Sequence, residues 1–138
     1  MKTNLKLLIV PFLLLTAVCV AQVKNNSGRI KAALPAGINL NDAKSVEIRD
    51  EAGNVLLSGS FSNFKTALSS KDSASKAKGD AEIEIEKEGK ATKQEIEVEV
   101  EKLPALGTFK LIVDGNEVAT FTTSKSGKRA LKYTRTDH

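Results

Sequence analysis

Strict alternation of apolar and polar residues is the dominant pattern in the chain, and it predicts β-strands. The clearest case is the stretch AEIEIEKEGKATKQEIEVEVEKLP, residues 81–104, in which glutamate alternates with isoleucine or valine on both sides of a glycine-containing turn. No convincing stretch repeats its apolar residues at helical spacing. The pattern therefore predicts an all-β protein.

Turn residues between the alternating segments predict where the strands begin and end. The strongest turn signals are Ala52-Gly53 and Asp114-Gly115-Asn116. A Ser- and Lys-rich segment at 62–79 is predicted to be mobile, and its stretch FKTAL to be a short strand or a helical turn. The predicted strands are 28–34, 44–51, 54–61, 80–88, 93–103, 107–114, 116–123 and 128–134. This spacing predicts one domain over 22–138, an antiparallel β-sandwich of about seven or eight strands.

Two of the predicted hairpins share their turn chemistry, which raises the hypothesis of two β-meander halves related by duplication. ALPAG at 33–37 precedes the first hairpin and KLPALG at 102–107 precedes the second. The apolar phase argues against it, because aligning the two LPA motifs sets Ile30 opposite Glu99 and exchanges the faces of the strand. Duplication and chance similarity both stay open.

The segment VEVEKLPALGTFKLIVDGNEVATFTT, residues 98–123, resembles a strand–corner–strand unit of exported bacterial immunoglobulin-like and prealbumin-like β-sandwich modules. The matching residues are Leu103, Pro104, Gly107, Thr108, Phe109 and Gly115, with one extra residue before Gly107. The resemblance implies a sandwich used for adhesion, assembly or display. It supplies no functional residue that carries over.

The first 21 residues have the features of a cleaved export signal. Lys2 and Lys6 are followed by an apolar run at 7–18, and Cys19 and Ala21 provide small residues before a cut after Ala21. The run is shorter than the roughly 20 residues that cross a bilayer. We therefore expect export to the periplasm or the extracellular space. The alternative is a lipid anchor on Cys19, although Val18 stands where such a cut requires a small residue.

The chain offers few groups for catalysis. Its only cysteine lies in the predicted signal, and its only histidine is the terminal His138, which is poorly suited to a catalytic triad. Phosphate-binding loops and zinc or calcium motifs are absent from the sequence. The net charge of +4 falls to +2 without Lys2 and Lys6, and aromatic residues are few, which disfavours nucleic-acid binding. We expect a non-enzymatic protein without cofactor or metal.

Charge is concentrated in residues 80–101, which hold nine acidic residues and three lysines, whereas the segments on both sides are basic. A hairpin turning at GKAT (89–92) would pair Ile85 with Ile96 and Glu84 with Glu97. Opposed carboxylates destabilise a sheet by up to about 1 kcal/mol per pair. Burial of each Ile or Val contributes roughly 1.5–3 kcal/mol, so the hairpin is expected to form.

Three interpretations of this acidic ladder compete. It could be a solvated outer face partly neutralised by cations on flanking strands, for which the candidates are Lys110, Lys128, Arg129, Lys132 and Arg135. It could instead be a contact surface for a basic partner or for weakly bound cations. The third and least favoured interpretation is paired carboxylates of a glycosidase, which need an enclosed site. The candidate contact residues are Glu82, Glu84, Glu86, Glu95, Glu97, Glu99 and Glu101.

Together these observations predict an exported, non-catalytic binding or structural module that acts through charged faces or sheet edges. The partner would be a protein or a polysaccharide, and self-association between acidic and basic faces is a further possibility. The alternative is a module that binds cations or charged polymers weakly through residues 80–101. A membrane span and a nucleic-acid partner are not expected.

Overall fold

The computed structural model describes residues 29–138; the predicted signal at 1–21, with Cys19, lies outside the described residues. The described chain contains nine strands and no helix, so the predicted all-β class is confirmed. Accordingly, no helix in this part of the chain could cross a membrane. The strands are β1 (Ile30–Ala33), β2 (Ser45–Asp50), β3 (Val55–Ser60), β4 (Lys65–Ser69), β5 (Lys78–Glu88), β6 (Ala91–Glu101), β7 (Thr108–Val113), β8 (Asn116–Thr122) and β9 (Arg129–Asp137).

All nine strands hydrogen-bond into one sheet in the order β1-β9-β6-β5-β4-β3-β2-β7-β8, which curls into a half-barrel. A division into two sheets, as the predicted sandwich requires, is not confirmed. The sheet is also mixed, because β1 pairs with β9 in parallel while the other pairs are antiparallel. The ninth strand is β4, which begins within the stretch FKTAL (64–68) and ends at Ser69.

The apolar positions of the alternating segments form one core on the inner face of the sheet. Ile48, Leu57, Ile96, Leu111 and Leu131 have no exposed surface. Each such side chain stabilises the fold by roughly 1.5–3 kcal/mol relative to exposure. The alternation thus builds the half-barrel, since every second residue of a strand faces the same side.

The connection between β1 and β2, residues 34–44, supplies Leu34, Ile38 and Leu40 to the same core. It is held by side chains of the sheet as well as by its own apolar residues. The Gln94 Oε1 atom accepts a hydrogen bond from the Leu40 amide at 2.7 Å, and Arg135 Nη1 donates to the Ile38 carbonyl at 2.8 Å. This irregular segment is therefore an integral part of the core.

The predicted register of the β5–β6 hairpin is wrong by two residues. Ile83, rather than Ile85, lies opposite Ile96, and Glu84 lies opposite Glu95. The loop is the two-residue turn Gly89-Lys90, with Gly89 at a φ of 60°, and not the four-residue GKAT. Two-residue turns with glycine at positive φ match the twist of the strands. Because the shift is an even number of residues, each side chain keeps its predicted face.

The segment predicted to be mobile, 62–79, is partly regular. A tight turn at Asn63 and Phe64 precedes β4, and β5 already begins at Lys78. The irregular part is therefore 70–77, whose mobility stays a prediction. At the β3–β4 join a Cβ on Gly59 would lie 2.5 Å from the Ala67 carbonyl oxygen, so this close approach of the two strands requires glycine.

Candidate contact face and groove

The acidic ladder consists of two neighbouring columns of carboxylates on the outer face of β5 and β6. Opposed pairs are Asp80 with Glu99, Glu82 with Glu97, and Glu84 with Glu95. Directly opposed residues of antiparallel strands have Cβ atoms roughly 5 Å apart. The two columns differ sharply in how their charges are compensated.

The β6 column is neutralised by cations of the same chain. Lys132, on β9, places its Nζ atom 3.4 Å from Oε1 of both Glu95 and Glu97. Lys78 Nζ lies 3.2 Å from Glu101 Oε1. The prediction that Lys132 contributes to neutralisation agrees with this geometry.

Arg29 completes the neutralisation from the far side of β9. Its Nη1 atom lies 3.0 Å from Glu97 Oε2 and its Nη2 atom 3.1 Å from Glu99 Oε1. The guanidinium reaches β6 because Ala130, the β9 residue opposite Glu99, has only a methyl group. Sequence reasoning missed Arg29, since no local pattern indicates that β1 pairs with β9.

Glu95 is buried, unlike the other ladder carboxylates, with only 4% of its surface exposed. Thr134 Oγ1 donates a hydrogen bond to it at 3.2 Å, and Lys93 Nζ lies 3.6 Å away. Burial alone raises the pKa of Glu95, but Thr134, Lys132 and Lys93 outweigh that effect, and the pKa is lowered. The carboxylate is therefore used within the fold and is poorly placed to meet a partner.

The β5 column, by contrast, is largely uncompensated. Asp80, Glu84 and Glu86 form no ion pair within residues 29–138, and Glu82 has only Lys65, at 3.7 Å between two exposed side chains. A hydrogen bond shared with Glu86, together with the charge of that residue, raises the pKa of Glu84. The negative charge available to solvent is thus concentrated on one strand.

The other predicted neutralising residues lie elsewhere. Lys110 is on β7, four strands from β5, and pairs with Glu117 at 3.3 Å. Arg129 and Arg135 alternate along β9 with the same phase as the inward-facing Leu131 and Tyr133. Arg129 is buried and donates a hydrogen bond to the Thr122 carbonyl, and Arg135 pairs with Asp137 at 2.9 Å. The predictions for Lys110 and Arg135 are wrong, because Lys110 lies on a distant strand and Arg135 pairs within β9. In the described part of the chain Lys128 forms no ion pair with the ladder, and neutralisation by Arg129 stays a prediction.

A groove of about 870 Å³ opens where β5, β6 and β9 meet the turn at 124–127. Ala130 and Gly79 are among its lining residues, and neither carries a long side chain. Lys128 and Asp80 line the groove without an ion-pair partner in the described chain. Burial, followed by the charges of Glu99, Glu82 and Glu101, raises the pKa of Asp80. The other residues around it are Arg29, Lys78, Glu99, Val100, Glu101, Ser124, Ser126 and Arg129.

The acidic columns do not form a metal cage. Over residues 29–138 no three side chains among His, Cys, Asp and Glu come together in a way that could hold a metal ion. The physical reason is the flat, two-column arrangement, whereas calcium needs six to eight oxygens converging on one point.

No protein-family model matches the chain, and neither a curated protein nor a solved structure is significantly similar to it. The resemblance of residues 98–123 to immunoglobulin-like and prealbumin-like modules therefore stays a prediction.

Proposed function

We propose that this chain is an exported, non-catalytic binding or structural module that contacts a basic protein partner through the β5 column, Asp80, Glu82, Glu84 and Glu86. The observation that carries the proposal is the contrast between the two acidic columns. The chain compensates the β6 carboxylates with its own cations, at 3.0–3.4 Å for Arg29, Lys132 and Lys78. Among the β5 carboxylates only Glu82 has an ion pair within residues 29–138, with the exposed Lys65 at 3.7 Å.

The spacing of the free carboxylates favours an extended partner. Every second residue of a strand faces the same side, so the four carboxylates recur about every 7 Å along β5. Lysines at alternate positions of an extended segment have the same spacing and could pair with them one by one. Each exposed pair contributes at most about 1 kcal/mol, which favours a reversible, salt-sensitive interaction.

Export, and the use of the module for adhesion, assembly or display, belong to the same proposal. They rest on the signal features of residues 1–21 and on the resemblance of residues 98–123. A sandwich-like packing of the two arms of the curled sheet would suit such a module. The absence of a candidate nucleophile–base pair in the sequence supports the non-catalytic part.

Binding of a fluorescent oligolysine peptide, followed by anisotropy at low and high salt, tests the proposal. The double variant Glu84→Gln/Glu86→Gln should weaken binding several-fold at low salt, and the difference should shrink above about 0.3 M salt, where screening is strong. The matched control is Glu51→Gln/Asp72→Asn, which removes the same charge outside the column.

Equal weakening by both double variants would show that only net charge matters and would contradict a docking role for β5. Failure of oligolysine to bind the unaltered protein at low salt would reject the proposed basic partner altogether. Turnover of a glycoside or peptide substrate that depends on the β5 carboxylates would overturn the non-catalytic assignment.

A further inference from the structure

The groove beside β9 contains two opposite charges that the fold leaves uncompensated, Asp80 and Lys128. The other charged residues that line it already have partners. Arg29 pairs with Glu99 at 3.1 Å and Lys78 with Glu101 at 3.2 Å, and Arg129 donates to the Thr122 carbonyl. A ligand that enters the groove therefore meets one free carboxylate and one free ammonium group, on opposite sides.

The register of the strands fixes the separation of these two groups. Asp80 lies opposite Glu99, and Glu99 lies opposite Ala130, so Asp80 and Ala130 are two strands apart, roughly 10 Å. Lys128 stands two residues before Ala130, which adds about 7 Å along the strand direction. The backbones of Asp80 and Lys128 are thus about 12 Å apart, and both residues line the groove.

The lining also contains polar side chains. Ser124 and Ser126 lie on the wall that the 124–127 turn provides, and their hydroxyls hydrogen-bond to each other at 3.1 Å. Two backbone hydrogen bonds hold this turn in place. The Gly127 amide donates to the Ser124 carbonyl, and the Gly127 carbonyl accepts from the Leu103 amide. No aromatic side chain lines the groove, so it lacks the stacking surface on which sugar rings and bases are commonly bound. A peptide backbone, with alternating N–H and C=O groups, suits such a lining.

We propose that the groove binds a short extended peptide with free termini, its ammonium group at the Asp80 carboxylate and its carboxylate at the Lys128 ammonium. Three extended residues span about 10 Å, which is comparable with the roughly 12 Å between the backbones of Asp80 and Lys128. Glu99 and Glu101 are paired with Arg29 and Lys78, so Asp80 is the carboxylate left for the ammonium end. This site shares Asp80 with the β5 column but differs from it in the ligand it requires, which has an anionic end as well as a cationic one.

Titration of the ¹⁵N-labelled protein with trialanine, followed by amide chemical shifts, tests the proposal directly. Trialanine should shift the amides of residues 79–80, 99–101 and 124–130. N-acetyl-trialanine and trialanine amide, which each lack one terminal charge, should bind about threefold to fivefold more weakly, as expected for the loss of a partly exposed ion pair.

Two variants assign the ends of the peptide. Asp80→Asn should weaken trialanine binding but leave the affinity for N-acetyl-trialanine unchanged, because that peptide has no ammonium group to lose. Lys128→Met should weaken trialanine binding but leave trialanine amide unaffected. The matched controls Glu82→Gln and Lys125→Met alter neighbouring charges that do not line the groove and should bind all three peptides normally.

The proposal is overturned if trialanine causes no shifts around the groove, or if capping either terminus leaves the affinity unchanged. Equal weakening of all three peptides by Asp80→Asn or Lys128→Met would also overturn it, since it would indicate a general change of the surface. Glu84→Gln/Glu86→Gln should leave trialanine binding intact, so this test and the oligolysine test can fail independently.

Discussion

The hydrogen bond between Gln94 and Leu40 should be a major determinant of the connection at 34–44. Gln94 is 4% exposed on the inner face of β6, and its side-chain oxygen accepts from the Leu40 amide at 2.7 Å. Replacing Gln94 with leucine keeps a side chain of similar size but removes this acceptor, together with the Nε2 donor that bonds to Asp137 at 3.3 Å. The Leu40 amide would then remain buried without a partner.

The expected loss follows from the cost of that unsatisfied donor. A buried backbone N–H without a partner costs about 1–3 kcal/mol, and the extra apolar surface of leucine offsets part of it. We therefore expect Gln94→Leu to lower the free energy of unfolding by about 1–2 kcal/mol. With a urea m value of roughly 1.5 kcal/mol/M for a domain of this size, the midpoint should fall by about 1 M.

Urea unfolding and amide hydrogen exchange together measure this effect. The Leu40 amide should exchange about tenfold faster in Gln94→Leu, since about 1.4 kcal/mol corresponds to tenfold. The matched control is Asn39→Ala in the same connection. It removes the exposed Asn39 Oδ1 atom, which accepts a hydrogen bond from the Asn41 amide at 3.0 Å. An unchanged urea midpoint together with unchanged protection of the Leu40 amide would refute the role of Gln94. An equal loss of stability in Asn39→Ala would refute it as well.

Three further predictions concern ionisable groups of the sheet. The lowered pKa of Glu95 stabilises the fold at pH values above the ordinary carboxylate pKa, and this contribution should disappear as pH falls through the lowered value. In a plot of the free energy of unfolding against pH, Glu95→Gln should flatten that part of the curve. Glu84 and Glu86 repel each other, so Glu84→Gln should raise the melting temperature at low salt but not at high salt, whereas a decrease at low salt would contradict the repulsion. Burial raises the pKa of Tyr133 to about 12. Because Tyr133 is the only tyrosine, absorbance near 295 nm should report its ionisation well above pH 10. The free energy of unfolding should decline as pH rises from about 10, the pKa of an unperturbed tyrosine. Ionisation near pH 10 in the folded protein would refute the burial of Tyr133.

The strands could be predicted from the sequence because alternation and turn residues are local signals. All the predicted strands exist, with bounds within three residues of the observed ones, and the short strand expected within FKTAL is β4. The register of β5 and β6 was predicted wrongly because alternation is unchanged by a shift of two residues. A two-residue turn and a four-residue turn therefore fit the same pattern equally well.

The contact face could be predicted only in part. The sequence located the glutamates but treated them as one equivalent set, and it left Asp80 out of the candidate contact residues. Their differences depend on which strands flank each column. Arg29 and Lys132 compensate β6 because β9 and β1 lie on that side, and β4 brings only Lys65 to the other side.

The sequence by itself determined the all-β class, the strand positions and the face on which each strand residue lies, because these follow from a period of two and from turn chemistry within a few residues. The tertiary structure alone decided that the nine strands form one mixed sheet, that Glu95 is buried and paired, and that Asp80 and Lys128 face one groove. Those features depend on contacts between residues far apart in the chain. Nothing in the local pattern of one strand specifies which strand lies beside it.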